Sequence, residues 1–322
     1  MPPHVLITGA TSGIGSEAAA QFAEAHYQAV ITGRTAARAA DAAAAINART
    51  GGGSVVPSAL DLGDPSSIKA AVAELAGHRF DVVVLNAGML SGADRQLTSD
   101  GIEMTFASSL IGHHRLVMGL LAADALSQGA RIVIAGSEAA RGDVPMMSLP
   151  DLDALAAAHH GGDLTAAAVD LIRGVRPDKF KANDTYATTK LFVAWWVAAL
   201  ARRLPDGMTV TAVSPGSTPD TQAGRNANFL TRRVLVPMLK LMPKRMNMAA
   251  TVADSARRYL DAVELPASDA SGGFYASAPK KMSGPMSRMT YPHVDNRAHQ
   301  EAAWAATVEV AGIGLPSERS GS

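Results

Sequence analysis

The chain contains no cysteine, which excludes disulfides, thiolate metal centres and a cysteine nucleophile. It also lacks a charge excess. Lys plus Arg and Asp plus Glu number 29 each, and such balance argues against a global nucleic-acid or acidic-membrane role. No apolar run is long enough to span a bilayer. The strongest one, LFVAWWVAALA (191–201), sits between Lys190 and Arg202–Arg203 and reads as a buried helix. The opening MPPHVLITGA has no basic leader and moves straight into an apolar strand-like run, so no signal peptide and a cytoplasmic protein are expected. The pairs His113–His114 and His159–His160 are poor chelators, because neighbouring helical residues point about 100° apart. No metal is expected.

What is present is a core. Of 322 residues, 48% are hydrophobic and 18% charged, which suits one large folded domain. Short β-branched runs recur at 4–9, 28–33, 54–60, 81–86, 131–136 and 208–214. Between them lie alanine-rich stretches with helical spacing, at 14–25, 35–49, 65–77 and 100–126. This alternation predicts a parallel sheet covered by helices on both faces. A further short strand is expected at GGFYAS (272–277) and a helix at 295–310. Two long connections, 138–185 and 217–248, interrupt the rhythm; loops of such length are often functional. Within the first, 151–160 and 164–173 have helical character.

TGATSGIG (8–15) follows the first strand and opens the first helix. Its glycines Gly9, Gly13 and Gly15 allow a sharp turn and a close backbone approach to a pyrophosphate, with the helix N-terminus aimed at it. Tyr186 and Lys190, in NDTYATTKLFVAWW, are four residues apart and share a helix face. A free phenol has a pKa near 10; a neighbouring ammonium is expected to lower it toward useful acid–base chemistry. Ser137 closes the fifth strand, at the edge where open α/β sheets bind ligands.

Together TGATSGIG, NAG (86–88), YATTK (186–190) and SPG (214–216) resemble the motifs of the short-chain dehydrogenase/reductase family, in order, over about residues 4–216. The late strand and Trp304 are similar to its retinol-dehydrogenase-like branch. The resemblance implies a doubly wound (Rossmann) single domain with an insertion before the active-site tyrosine, a substrate lid over 217–248 and a C-terminal tail over 278–322. It implies a hydride transfer between a nicotinamide cofactor and a carbonyl or secondary alcohol. Tyr186 is then the acid/base, Lys190 tunes it and grips the nicotinamide ribose, and Ser137 orients the carbonyl. Gly9, Thr11, Ser12, Gly13, Ile14 and Gly15 form the cofactor loop, and Asp61 and Leu62 flank the adenine. Asn86, Ala87 and Gly88 line the cofactor, while Pro215, Gly216 and Thr218 back the nicotinamide.

Gly33 stands at the family's acidic position and is followed by Arg34, with Arg38 one helical turn on. A guanidinium suits a 2′-phosphate, so NADP(H) is expected over NAD(H), although Ser12 replaces the basic residue some NADP-preferring members carry. Ser109, in SLIGHH (109–114), stands where the family has an asparagine that helps hold a water beside the lysine, which places a full proton relay in question. Forty-nine residues separate Ser137 from Tyr186, resembling monomeric carbonyl reductases, and a monomer or homodimer is expected. Over 225–258, eight Lys or Arg residues face Asp254 alone; a lid with a basic outer face is preferred to a membrane-surface helix. Methionines at 146–147 and 238–248 suggest a bulky, apolar small-molecule substrate. A non-catalytic NADP(H)-binding sensor or scaffold on the same fold is the alternative.

Overall fold

The computed structural model describes residues 2–175, 179–217 and 250–316. Of the expected lid (217–248), residues 218–248, Thr218 among them, lie outside the described residues. Eight strands form one sheet: β1 (His4–Ile7), β2 (Gln28–Gly33), β3 (Val55–Ala59), β4 (Phe80–Leu85), β5 (Leu126–Ala135), β6 (Thr209–Val213), β7 (Phe274–Ser277) and β8 (Met286–Arg288). Their order is β3-β2-β1-β4-β5-β6-β7-β8. Every pairing from β3 to β7 is parallel, and β8 closes the edge antiparallel to β7. The chain reverses its winding between β1 and β4, so the carboxyl ends beside them form the crevice where such sheets take ligands.

Strands buried on both faces need apolar residues at successive positions, and the two faces sort cleanly. Leu6, Val83, Leu85, Ile132 and Ile134 pack with Phe106, Phe192 and Trp196 on one side. Val5, Ile7, Val82, Val84 and Val133 pack with Ala19, Phe22 and Tyr259 on the other. Helices α1 (Gly13–Glu24), α2 (Ala36–Thr50) and α3 (Pro65–Leu75) follow the first three strands. Local chemistry delimits them: the Thr35 hydroxyl accepts from Arg38 N–H, Gly51 stops α2 at φ 70°, and Asp64 caps α3 ahead of Pro65.

The helix expected over 100–126 is shorter and interrupted. The buried Glu103 accepts from Thr105 and Phe106 N–H groups, starting α4 at Met104–Phe106; a π-helical segment covers Ala107–Ile111, and α5 runs Gly112–Ala122. β5 then begins at Leu126, five residues earlier than expected, and ends in a 3-10 turn, Glu138–Arg141. The insertion folds as expected into α6 (Leu152–His159) and α7 (Leu164–Ile172), each with an aspartate cap. α8 (Ala182–Ala201) carries the Tyr186–Lys190 pair. α9 (Val252–Glu264), α10 (Ala267–Ala270), α11 (Pro292–Asp295) and α12 (Arg297–Ala311) complete the chain, with α12 packed on α7 and α8. The antiparallel β8, only three residues long, was not expected; it has too few residues to show an alternating pattern.

Trp196 is fully buried on α8, and its Nε1–H donates to His114 Nδ1 at 3.0 Å. Trp196→Ala removes that bond and opens a cavity in the larger core. Urea unfolding is expected to show a loss of about 3–5 kcal/mol, read as a lower midpoint at unchanged slope.

Candidate active site

The loop after β1 is shaped by close approach. Gly9 and Gly13 have φ of +64° and +59°. A Cβ on Gly9 would stand 2.8 Å from Ala87 Cβ, and one on Gly15 would stand 2.4 Å from Asn86 Nδ2. Ser12 is the N-cap of α1 but its side chain makes no capping bond, so no hydroxyl competes for the first-turn N–H groups that an anion would use. Asn86 Nδ2 donates to Thr8 O (3.0 Å) and Gly9 O (3.3 Å), and its Oδ1 accepts from Tyr259 OH (3.1 Å). The Ala87 N–H donates to Thr8 Oγ1 at 3.0 Å. NAG thus fastens β4 to the glycine loop.

His113, on α5, joins this lattice: Nε2 lies 2.9 Å from Thr8 Oγ1 and Nδ1 lies 3.3 Å from Ser109 O. Burial pushes its imidazole down to about 3 and that of His114 down to about 4. His114 Nε2 lies 2.7 Å from Ile313 O. Both rings are packing and hydrogen-bonding groups of the core.

At the end of β5, Ser137 caps the 3-10 turn, accepting from Ala139 N–H at 3.2 Å, and its side chain bears on the Tyr186 phenol, drawing its pKa down. One turn along α8, the Lys190 ammonium is buried, donates to Ala135 O at 2.7 Å, and lies 5.7 Å from the Tyr186 ring centre. Desolvation lowers the Lys190 pKa to about 8. The expected lowering of the Tyr186 pKa by Lys190 is corrected by this geometry. Burial raises the phenol above its ordinary value, Ser137 pulls against that, and the Glu138 charge adds to the rise. The ammonium is turned to a carbonyl, and loss of water outweighs its charge.

Ser109 is buried in the π-helical segment, and its Oγ has no partner among the described residues. It faces Gly88: a Cβ there would stand 3.0 Å from Ser109 Oγ and 3.9 Å from Lys190 Nζ. A π segment at this point is the kind of helix irregularity that gathers at functional sites. An unpartnered buried hydroxyl, the bare loop glycines and the Ser137 and Tyr186 side chains fit a dinucleotide lying along this edge.

The remaining positions fall around the same crevice. Arg34 and Arg38 are exposed at the start of α2, with no ion pair among the described residues. Gly33 is crowded: a Cβ there would stand 2.5 Å from Thr11 Cγ2, so the Thr11 side chain would have to shift to admit one. Asp61 turns inward, Oδ1 accepting from Gly63 N–H at 2.9 Å. Leu62 is buried, with its carbonyl 2.4 Å from where a Gly112 Cβ would be. Ile14, Pro215 and Gly216 are half-buried, and Gly216 has φ +82°.

Three site neighbours escaped sequence reading: Glu138, Tyr259 and Arg258. Arg258 was counted with the basic surface of the lid, yet it is 6% exposed and lies 3.6 Å from Glu138. Its position on the inner face of amphipathic α9 was the available signal.

The chain is similar to known dehydrogenases. A family profile described as short chain dehydrogenase matches residues 3–149. Human retinol dehydrogenase 13 is 27% identical over 322 aligned positions, covering 98% of this chain and 86% of that protein. A "probable oxidoreductase" of Streptomyces antibioticus is 34% identical over 136 residues, 42% of this chain and 45% of its own length. Among solved structures, a short chain dehydrogenase from Burkholderia cenocepacia in complex with NADP superposes with a TM-score of 0.58 at 25% identity, over 84% of this chain and 94% of that one.

The buried histidines carry a pH consequence. Their folded pKa values lie below the unfolded value near 6.5, so folding excludes protons. The stability they contribute is full above about pH 6.5 and falls as pH drops toward 4 and 3. Between pH 7 and pH 5 each is expected to cost about 2 kcal/mol of unfolding free energy. Urea titrations at the two pH values check this, with a smaller difference expected in His114→Gln.

Proposed function

The chain belongs to the short-chain dehydrogenase/reductase family, and from that premise we propose that it transfers a hydride between NADP(H) and a carbonyl or secondary alcohol. The observation that carries this is the convergence of Ser137, Tyr186 and buried Lys190 at the carboxyl edge of the sheet, where Lys190 Nζ donates to Ala135 O and lies 5.7 Å from the Tyr186 ring centre. When bound, the dinucleotide supplies or accepts the hydride. Tyr186 Oη gives its proton to, or takes it from, the substrate oxygen. Ser137 Oγ hydrogen-bonds the same oxygen and holds it beside the phenol. Lys190 Nζ, with two N–H donors beyond the one engaged by Ala135 O, holds the ribose hydroxyls.

The glycine loop and the start of α1 take the pyrophosphate, and Gly88 offers a flat backbone surface beside it. Arg34 and Arg38 take the 2′-phosphate, since both are exposed and Gly33 offers no carboxylate of the kind an NAD-preferring site uses. The NADP complex of the Burkholderia relative supports this choice.

The substrate is proposed to be bulky and apolar. Ser148 N–H donates to Asp184 Oδ1 at 2.9 Å and Asn183 Nδ2 reaches Met146 O at 3.5 Å. These bonds tie the Met146–Met147 loop to the start of α8, two to three residues before Tyr186. No helix among the described residues is long and apolar enough to cross a membrane, and a cytoplasmic monomer or homodimer is proposed. A second reading, a non-catalytic NADP(H)-binding protein, is favoured by one observation: Ser109, without a partner, stands where the family has asparagine.

NADPH oxidation across aldehydes, aryl ketones and steroid-like ketones tests the reading, with Tyr186→Phe beside the wild type. The variant is expected to lose about 10²–10⁴-fold in kcat at unchanged NADPH affinity; unchanged turnover sinks the mechanism. NADPH binding with no turnover on any substrate supports the second reading. Arg34→Asp is expected to weaken NADPH by about tenfold or more and NADH far less; equal losses reject the cofactor assignment.

A further inference from the structure

A buried charge cluster lies directly behind the proposed catalytic serine and has no place in the hydride chemistry itself. Glu138, the residue after Ser137, is 2% exposed. Its Oε2 accepts from Ser214 Oγ–H, and its Oε1 accepts from Ser277 N–H (3.3 Å) and Ser277 Oγ–H (2.9 Å). Arg258 faces it from α9, with Nη1 3.6 Å from Oε1. Arg258 Nη1 also donates to Ser214 O at 2.6 Å, and Nη2 to Ser277 Oγ at 2.8 Å and Gly284 O at 2.5 Å. Arg141 extends the cluster from the end of the 3-10 turn, donating to Ser277 O (2.6 Å), Ala278 O (2.9 Å) and Asp143 Oδ1 (2.9 Å). Two carboxylates and two guanidiniums balance each other.

The cluster links three strand ends: β5 through Glu138, β6 through Ser214 and β7 through Ser277. The chain Glu138 Oε2 to Ser214 Oγ continues to the backbone of the SPG loop, because Gly216 N–H donates to Ser214 Oγ at 3.1 Å. Gly216 is the residue at φ +82°, and the Arg258 guanidinium packs against it, with Nη1 3.4 Å from its Cβ position. One buried carboxylate therefore anchors the turn that presents Ser137 and the loop proposed to back the nicotinamide. A pair this deep is retained at a desolvation cost that apolar packing would avoid, which points to a geometric task.

We propose that Glu138 and Arg258 are positioning residues that lock the Ser137 turn and the Pro215–Gly216 loop into one geometry, setting the serine and the nicotinamide face in register. This rests on the hydride-transfer reading above. The charged and titratable groups that bear on the Tyr186 phenol are Lys190 on α8, Tyr259 on α9 and Glu138, while Arg258 faces Glu138 from α9 and Arg141 and Asp143 extend the cluster beyond it. Of these, Glu138 adds its charge to the rise of the phenol, so neutralising it has a readable sign.

The test uses two variants of the full chain. Glu138→Gln is expected to lower the rate of NADPH oxidation at saturating cofactor by about tenfold or more and to move the Tyr186 ionisation to lower pH. That ionisation is read as phenolate absorbance after subtracting Tyr186→Phe, a signal that needs no turnover. Arg258→Lys keeps the charge but loses the fork; it is expected to raise the NADPH dissociation constant severalfold and slow turnover, with the phenol ionisation unmoved. Melting temperature is followed throughout. If both variants melt lower but keep wild-type rates, NADPH affinity and phenol ionisation, the cluster is a stability element and the proposal falls. If Tyr186→Phe remains fully active, the hydride-transfer reading fails instead, a result distinct from either variant's behaviour. If Glu138→Gln does not fold, Arg258→Lys decides alone through NADPH affinity.

Discussion

The Asn86 side chain stands where the glycine loop, β4 and α9 meet, and its three hydrogen bonds leave that amide nothing further to give. Both Nδ2 hydrogens are committed to the backbone carbonyls of Thr8 and Gly9, and Oδ1 is held by Tyr259. The space around it is equally committed, since neither Gly9 nor Gly15 could carry a methyl group without striking Ala87 or Asn86. Steric exclusion and a part-buried amide with both N–H groups committed act together here. The turn must keep its shape, and that shape leaves the N–H groups at the start of α1 without a side-chain cap. The Thr8–His113–Ser109 chain continues the same lattice across the sheet into the π segment. Cofactor loop and reacting end are thus held by one polar framework, built on a neutral imidazole because burial denies His113 its charge.

Dryness also sets the acid–base character of the site. A pair of Tyr and Lys one turn apart suggests a phenol made acidic by a nearby cation, and in water that argument would hold. Here both groups are desolvated, and each is pushed toward its neutral form. A phenol that keeps its proton at neutral pH is poised to give one, which suits carbonyl reduction. Ser137 opposes the rise, so the serine bears on the tyrosine itself, beyond the role toward the substrate oxygen proposed above. The positive charge of an oxidised nicotinamide would act in the same direction as the serine.

Legibility divided along the range of the interactions. The glycine turn, the Asp and Thr helix caps, the two insertion helices and the alternation of strand with helix are written in neighbouring residues. Hydrophobic period and glycine spacing placed the turn, the helices and the strands within a few positions, while the caps were seen only in the structure. The break at Glu103, the early start of β5 and the three-residue β8 were not readable, because tertiary burial and edge pairing decide them. Tyr186, Lys190 and Ser137 could be found because a family motif names them. Glu138 and Arg258 could not, since 120 residues separate the partners and each alone resembles a solvated surface charge. Nor could the separate roles of the adjacent His113 and His114 be read, because each ring finds its partners, Thr8 and Ile313, far away in the chain.

Cofactor choice shows how two independent physical effects meet at one position. Arg34 and Arg38 offer attraction, and an exposed guanidinium alone is weak evidence because salt and water screen it. Gly33 supplies exclusion. The Thr11 methyl group, from within the glycine loop, fills the volume that a side chain at residue 33 would need, and the Ala39 backbone closes it from α2. A side chain at residue 33 would press on the Thr11 methyl, which must turn aside before an acid is accommodated. On the proposed NADP(H) reading, this crowding and the charge of the two arginines act in the same direction.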